Sequence, residues 1–224
     1  MATSPTPTRE PLSADRVLDA AVTLADRSGM GAFTIRRLAD ELGVKPMTIY
    51  HHIPNKDAII DGMVDRVFAE IDLPPADEHW KSAMRRKCTS ARRVLLRHPW
   101  APPLMESRTN PGPATLLHHD TVLGCLRRGG LSYALIAHAG AVLDSYVYGF
   151  TMQETHLPFG GSEQIGELAE AIIAAMPVDE YPNMVAFTAN HVLKPGYSFS
   201  SSFEFGLDVL LDGLESAAAG AQPS

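Results

Sequence analysis

The stretch from Thr34 to Lys56 constrains this chain more than any other. Leu38, Leu42, Val44 and Ile49 are apolar at spacings that place them on the inner side of two short helices, Ala39 is small where those helices would cross, and Gly43 falls where the chain must turn with positive φ. The pattern predicts a helix-turn-helix. Between and beyond the inner residues stand Arg36, Lys45, Thr48, Tyr50, His51 and Lys56, which are of the kinds that reach base edges and phosphates. The bland alternative is a helical hairpin that happens to be amphipathic.

The neighbouring residues supply start and stop signals. Ser13 is placed to cap a helix running to about Ser28, with Val17, Ala20, Ala21 and Leu24 on one stripe and Gly29 past its end. Thr34 is placed to cap the second helix, and Pro46 suits the first turn of the third. Asn55 is placed to cap a fourth, whose Ile60, Met63, Val64, Val67, Phe68 and Ile71 make one apolar stripe. Leu73-Pro74-Pro75 then blocks continuation. These signals divide the chain into a disordered, Pro- and Thr-rich tail over 1–11, a DNA-binding domain over 12–72, and a second domain over 73–224.

Further helices are predicted over 76–97, 104–107, 114–128, from Ser132 onward, and over 163–175 and 183–191. The last begins near Ser201, where Ser201 and Glu204 match a capping box. Its Gly206 and Gly213 lie on one face, which predicts a closely approaching neighbour helix. No stretch alternates with period two for long, so the expected fold class is all-α. Residues 131–153 and 201–216 carry more apolar face than one subunit should hide, which predicts a homodimer joined by a four-helix bundle.

The 224 residues carry a net charge of -7, unevenly distributed. Residues 73–130 hold 10 basic and 4 acidic side chains, whereas 131–224 hold 1 and 11. The basic stretch, with Lys81, Arg85, Arg86, Lys87, Arg92, Arg93 and Arg97, reads as a solvated helix face in preference to a second DNA surface. Cys88 and Cys125 lack CxxC spacing and read as buried free thiols. With no apolar run of eighteen residues and no hydrophobic segment at the start, a cytoplasmic protein without a membrane partner is expected.

No HExxH, GxSxG or phosphate loop occurs. His118-His119-Asp120 looks metal-like, but adjacent helical residues point about 100° apart and do not converge. His98, His138, His156 and His191 have no carboxylate or cysteine at ligand spacing in the sequence. The reading therefore assigns no catalytic residue, no metal and no cofactor. Two alternatives stand beside it: a helical enzyme or metal-dependent protein using the C-terminal histidines, and a helical interaction module without DNA binding.

The first sixty-odd residues resemble the tetracycline-repressor (TetR) family of transcription regulators. The resemblance rests on Ala20-Ala21, Gly29, Thr34-x-Arg36-x-Leu38-Ala39-x3-Gly43-Val44 and Thr48-Ile49-Tyr50-x-His52-Ile53-x-Asn55-Lys56. The ending from Phe203 to Leu214 is similar to the C-terminal domain of the branch that includes the tetracycline repressor itself. The resemblance implies a dimeric repressor that holds a palindromic operator and releases it when a small-molecule inducer enters the C-terminal domain. By position it implies that Arg36, Lys45, Pro46, Met47, Thr48 and His51 face base edges, and that Thr34, Tyr50, His52 and Lys56 hold phosphates. Lys45 stands where a short capping residue is common, and Met47 and His51 are not general signatures. No histidine of the middle region aligns with the magnesium-binding histidine of the tetracycline repressor, so a tetracycline is not the expected inducer. Trp100, Leu104, Met105, Leu117, His118, Cys125, Tyr146, Phe150, Met152 and Gln153 are the candidate effector contacts, chosen as large, apolar or hydrogen-bonding residues on helices expected to surround a cavity.

Overall fold

Helix α1 (Ala14–Ser28) begins where Ser13, in extended backbone, accepts a hydrogen bond from the Arg16 amide. Its Val17, Ala21, Leu24 and Ala25 are buried. A 3-10 turn over Met30–Ala32 leads to α2 (Ile35–Leu42), capped by Thr34, and α3 (Pro46–Tyr50) and α4 (Lys56–Glu70) follow. The computed structural model describes residues 11–157, 162–177 and 179–220; the tail expected over residues 1–11 lies, but for residue 11, outside them. Among the described residues every regular element is helical and no strand occurs, as the periodicity predicts.

The later helices are α5 (Trp80–Arg97), α6 (Pro102–Met105), α7 (Pro113–Arg128), α8 (Tyr133–His156), α9 (Ser162–Ala175), α10 (Pro182–Phe187) and α11 (Ser202–Gly220). The helix predicted from residue 76 starts only at Trp80, since residues 76–77 form a turn and residue 78 a bend. The short element predicted over 104–107 lies earlier, over Pro102–Met105. Prolines at its start fit a helix N-terminus, where their missing N–H has no partner to lose.

The chain folds as two compact units, Met1–Leu73 with Arg93–Val122, and Pro74–Arg92 with Leu123–Ser224. One switch between the units falls at Leu73–Pro74, and residues 93–122 return to the first unit. Helices α5 and α7 therefore each supply residues to both units.

In the first unit, long-range polar contacts hold segment 93–122. Asp65 on α4 accepts hydrogen bonds from the Ala114 and Thr115 amides and from the Thr115 hydroxyl. Arg108 pairs with Asp61 and Asp57 of the same helix. His98 is buried, with Nδ1 2.7 Å from Asp26 Oδ1 and Nε2 3.2 Å from Glu70 Oε1. The carboxylates missing from its neighbourhood in the sequence thus arrive from α1 and α4.

In the second unit α8 packs on α11. Ile136, Ala139, Leu143, Val147 and Phe150 of α8 and Phe203, Leu207, Leu211 and Leu214 of α11 are buried. The basic stretch of α5 is not the solvated face expected. Lys81 pairs with Asp212 and Glu215, Arg85 with Glu204 and Asp208, Lys87 with Asp144, and Arg92 with Glu154. In the first unit Arg93 meets Asp72 and Arg97 meets Glu70. Most of the basic excess of the middle segment is thus spent on acids elsewhere in the chain. Glu204 is one of them, so the capping box expected with Ser201 does not form. Ser201 instead ends a 3-10 turn and donates to the Ser198 carbonyl.

The close approach predicted at the α11 glycines holds at one of them. A Cβ on Gly206 would lie 2.2 Å from the Tyr146 hydroxyl, whereas one on Gly213 would meet nothing within 4 Å. Cys88 and Cys125 are free and buried, as expected, and burial pushes the Cys88 thiol up to about 11.

Candidate nucleic-acid interface

The reader is built from its caps outward. The Thr34 hydroxyl accepts a hydrogen bond from the Arg37 amide, starting α2. Arg37 then donates from its side chain to the Ala32 carbonyl at 3.1 Å, and Arg27 ties α1 to Glu41 at 2.7 Å. Gly43 ends α2 in the left-handed region at φ 64°, the conformation its lack of a Cβ permits. The Val44 amide returns to the Ala39 carbonyl at 2.9 Å, closing the turn.

Leu38, Ala39, Leu42, Ile49 and Ile53 are buried, fixing which way the two helices face. Their outer side is left to water: Arg36, Lys45, Pro46, His51 and His52 are exposed, Met47 is 68% exposed, and Thr48 and Tyr50 are half-buried. Lys45 precedes α3 without a side-chain cap, in line with its departure from the short capping residue of the family. Asn55 caps α4 through a 2.7 Å bond from the Ala58 amide, and the exposed Lys56 stands in that first turn, where helix dipole and ammonium add at one point. Its Nζ lies 3.5 Å from the Phe33 carbonyl.

The candidate effector contacts divide between the units. In the first, Trp100 is buried with Nε1 donating to Asp26 at 2.7 Å, Met105 and His118 are buried, Leu104 is half-buried and Leu117 is exposed. His118 lies 5.1 Å from the Phe68 ring, centroid to centroid. In the second, Cys125 and Phe150 are buried, Tyr146 is half-buried, and Met152 and Gln153 are exposed. Tyr146 stacks on Phe203 at 5.4 Å and Phe150 on Phe199 at 4.7 Å, and the Arg92 guanidinium lies 4.8 Å from the Phe203 centroid. Sequence reasoning did not single out Arg92, Glu154, Phe199 or Phe203 for this cluster. Burial would raise Glu154, but hydrogen bonds from Arg92 and Ser200 outweigh it and hold the carboxyl below its ordinary range. Among the described residues no three His, Cys, Asp or Glu side chains gather into a metal-holding group, and no helix is long and apolar enough to cross a membrane.

A two-helix reader with a buried inner face and an exposed polar outer face, followed by a second, larger helical unit, defines a helix-turn-helix transcription regulator. The comparisons make this specific. The family described as "Bacterial regulatory proteins, tetR family" matches residues 17–63, and "Tetracyclin repressor-like, C-terminal domain" matches residues 73–218. The chain is 31% identical over 215 residues to an HTH-type transcriptional regulator of Saccharopolyspora erythraea, covering 94% of this chain and 88% of the relative. It is 31% identical over 221 residues to the HTH-type transcriptional repressor DrrR1 of Streptomyces coeruleorubidus, covering 93% and 80%. The structure of the TetR family protein ActR of Streptomyces coelicolor in complex with actinorhodin matches with a TM-score of 0.78 at 28% identity, over 95% of this chain and 99% of that one. The chain belongs to the TetR family and is a DNA-binding transcriptional repressor.

Proposed function

We propose that this repressor holds a palindromic operator as a homodimer and is released from it by a small-molecule effector. The observation that carries the reading is the outer side of residues 34–56, where Arg36, Lys45, Met47, His51 and His52 are exposed on helices whose inner faces are buried. In this reading Arg36, Lys45, Pro46, Met47, Thr48 and His51 face base edges, and Thr34, Tyr50, His52 and Lys56 hold phosphates. An arginine pairs bidentately with guanine O6 and N7, and the Thr48 methyl suits a thymine methyl.

Dimerisation is assigned to α8 and α11 over residues 131–153 and 201–216. Tyr133 is 76% exposed, Phe205 73% and Val209 54%, a large apolar surface for a lone subunit. The effector is assigned to the second unit, around the aromatic cluster of Tyr146 and Phe150 with Cys125, Met152 and Gln153. That a small molecule acts as effector is supported by the structure of the similar protein ActR in complex with actinorhodin. Because α5 and α7 supply residues to both units, the chain itself connects the effector-bearing unit to the reader.

Two recognition helices must meet successive major grooves about 34–36 Å apart. An effector that prefers a differently spaced dimer lowers operator affinity by population shift, and nearly complete switching requires about 5.5 kcal/mol of differential binding. The reading places the protein in the cytoplasm with the DNA it regulates, and assigns it no catalytic residue and no cofactor. Titration of the full chain against the DNA upstream of its own coding sequence, at several salt concentrations, tests the reading. Nanomolar preference over random duplex with a steep salt slope is expected; equal affinity for both in every salt refutes autoregulation.

A further inference from the structure

A cleft lies between the turns that follow α10 and the start of α11, at the edge of the segment assigned above to dimerisation. The chain leaves α10 through a π-helical turn over Thr188–Val192. Such turns are rare and recur at functional sites. Here the turn carries His191, whose ring lies 5.3 Å from Phe187 and 5.1 Å, edge-on, from Tyr197. The chain then reverses at Lys194-Pro195-Gly196, with Gly196 at φ +84°. The result is an open cleft of about 390 Å³ lined by His191, Lys194, Tyr197, Ser202 and Phe205 among others, within the size range of small-molecule sites.

Three of its walls are rings, and of these Phe205, exposed in the single subunit, also borders the face assigned to the dimer, whereas His191 and Tyr197 do not belong to that segment. The charge is equally specific. Lys194 is the one Lys or Arg in residues 131–224, which hold 11 acidic residues. The acids of α11 are engaged by α5: Glu204 and Asp208 by Arg85, and Asp212 and Glu215 by Lys81. An exposed ammonium therefore stands beside an aromatic-walled cleft, with its chain-neighbouring carboxylates committed elsewhere.

We propose that this cleft binds a planar aromatic carboxylate, with the ring against His191, Tyr197 and Phe205 and the carboxylate on Lys194 and the Ser202 hydroxyl. Aromatic faces favour a flat ring over an aliphatic chain, because offset and edge-on packing adds to area burial. A single ammonium suits one carboxylate, which its charge-assisted hydrogen bonds also orient. None of its lining residues is among the effector contacts assigned on α8, although the Tyr146 hydroxyl also lies 3.3 Å from the Ser202 carbonyl.

The test is calorimetric titration of the full-length protein with 2-naphthoate and with its uncharged counterpart 2-naphthalenemethanol. Both are expected to bind, the acid more tightly. Lys194→Gln should weaken naphthoate about fivefold, the size of a single exposed charge contact, and leave the alcohol within about twofold. Phe205→Ala should weaken both. Phe205 also lies on the face assigned to the dimer, so its variant is checked for oligomeric state by sedimentation, and His191→Ala, away from that face, must weaken both ligands too. The proposal is overturned by absence of naphthoate binding at millimolar concentration, by unchanged discrimination in Lys194→Gln, or by naphthoate binding only to dissociated subunits. Operator affinity, measured on the same variants, reports the repressor reading separately.

Discussion

His98 lies 2.7 Å from Asp26 through Nδ1, and the same Asp26 oxygen accepts a 2.7 Å hydrogen bond from Trp100 Nε1. Asp26 belongs to α1, beside the reader, while His98 and Trp100 follow α5, so residues 72 and 74 positions apart meet on one carboxylate. With Glu70 on the other ring nitrogen, His98 joins three segments of the first unit. His98→Leu removes these bonds at similar volume and leaves Asp26 with Trp100 alone and Glu70 with Arg97 alone. A loss of about 1–3 kcal/mol is expected in urea unfolding, and an unchanged midpoint would remove His98 from the structural account.

Two partly buried carboxyls, Glu70 and Glu154, contribute to the loss of stability in acid. Burial would raise Glu70 and Glu154, but Arg97 and His98 on the first, and Arg92 and Ser200 on the second, outweigh it and hold both below the ordinary Glu value of 4.5. Each group ionises more readily folded than unfolded, so it contributes stability at pH above 4.5 that is lost as pH falls through the folded value. Melting temperature should therefore drop below about pH 5. Glu154→Gln, already less stable at pH 7, should lose less on acidification; parallel curves for variant and parent would contradict the assignment.

At the reader, Arg36→Ala should cost about 1–3 kcal/mol of operator affinity and relax preference at the base it meets. Lys56→Ala should weaken all duplexes nearly equally and lower the salt slope by about one. Fluorescence anisotropy at three salt concentrations separates the two behaviours. A sequence-selective loss at Lys56 would reverse the assigned roles.

Val209→Glu places a charge on a half-exposed apolar position of α11 within the proposed bundle. If α11 meets its copy there, the buried charges repel and lack partners, and the dimer constant should weaken at least about 100-fold. Sedimentation checks the mass, and operator affinity should fall with it. A stable Val209→Glu dimer would move the interface off this face.

Gly206→Ala forces a Cβ toward the Tyr146 hydroxyl, 2.2 Å away on the native backbone. Tyr146 is stacked on Phe203 and donates to the Phe203 carbonyl at 2.9 Å, so it does not move without loss. The variant should melt earlier by an amount equivalent to about 1–3 kcal/mol. A gain in stability, as ordinary helix propensity predicts for Gly to Ala, would show that Tyr146 swings away freely.

The first seventy residues were legible because their signals are local. Ser13, Thr34 and Asn55 cap the helices they precede in sequence, Gly43 takes the left-handed turn, and the stripe from Ile60 to Ile71 is buried. The α5 cations were not legible, because a run of Lys and Arg looks the same whether it faces water or partners 57 to 134 positions away, as for Lys87 and Lys81. Glu204 shows the limit well: three residues after Ser201 it fits a capping box, yet Arg85, 119 positions earlier, holds it.

The sequence by itself determined the all-α class, the caps and turn of the reader, and which of the reader's residues turn inward. These follow from helical periodicity, capping chemistry and the lack of a Cβ at Gly43, each acting within a few residues. Only the tertiary structure decided that segment 93–122 joins the reader's unit, that His98 sits between Asp26 and Glu70, and that Lys194 stands beside an aromatic cleft. Those outcomes depend on which distant surfaces meet when apolar stripes are buried, and a carboxylate's partner is chosen by that packing rather than by its neighbours in the chain.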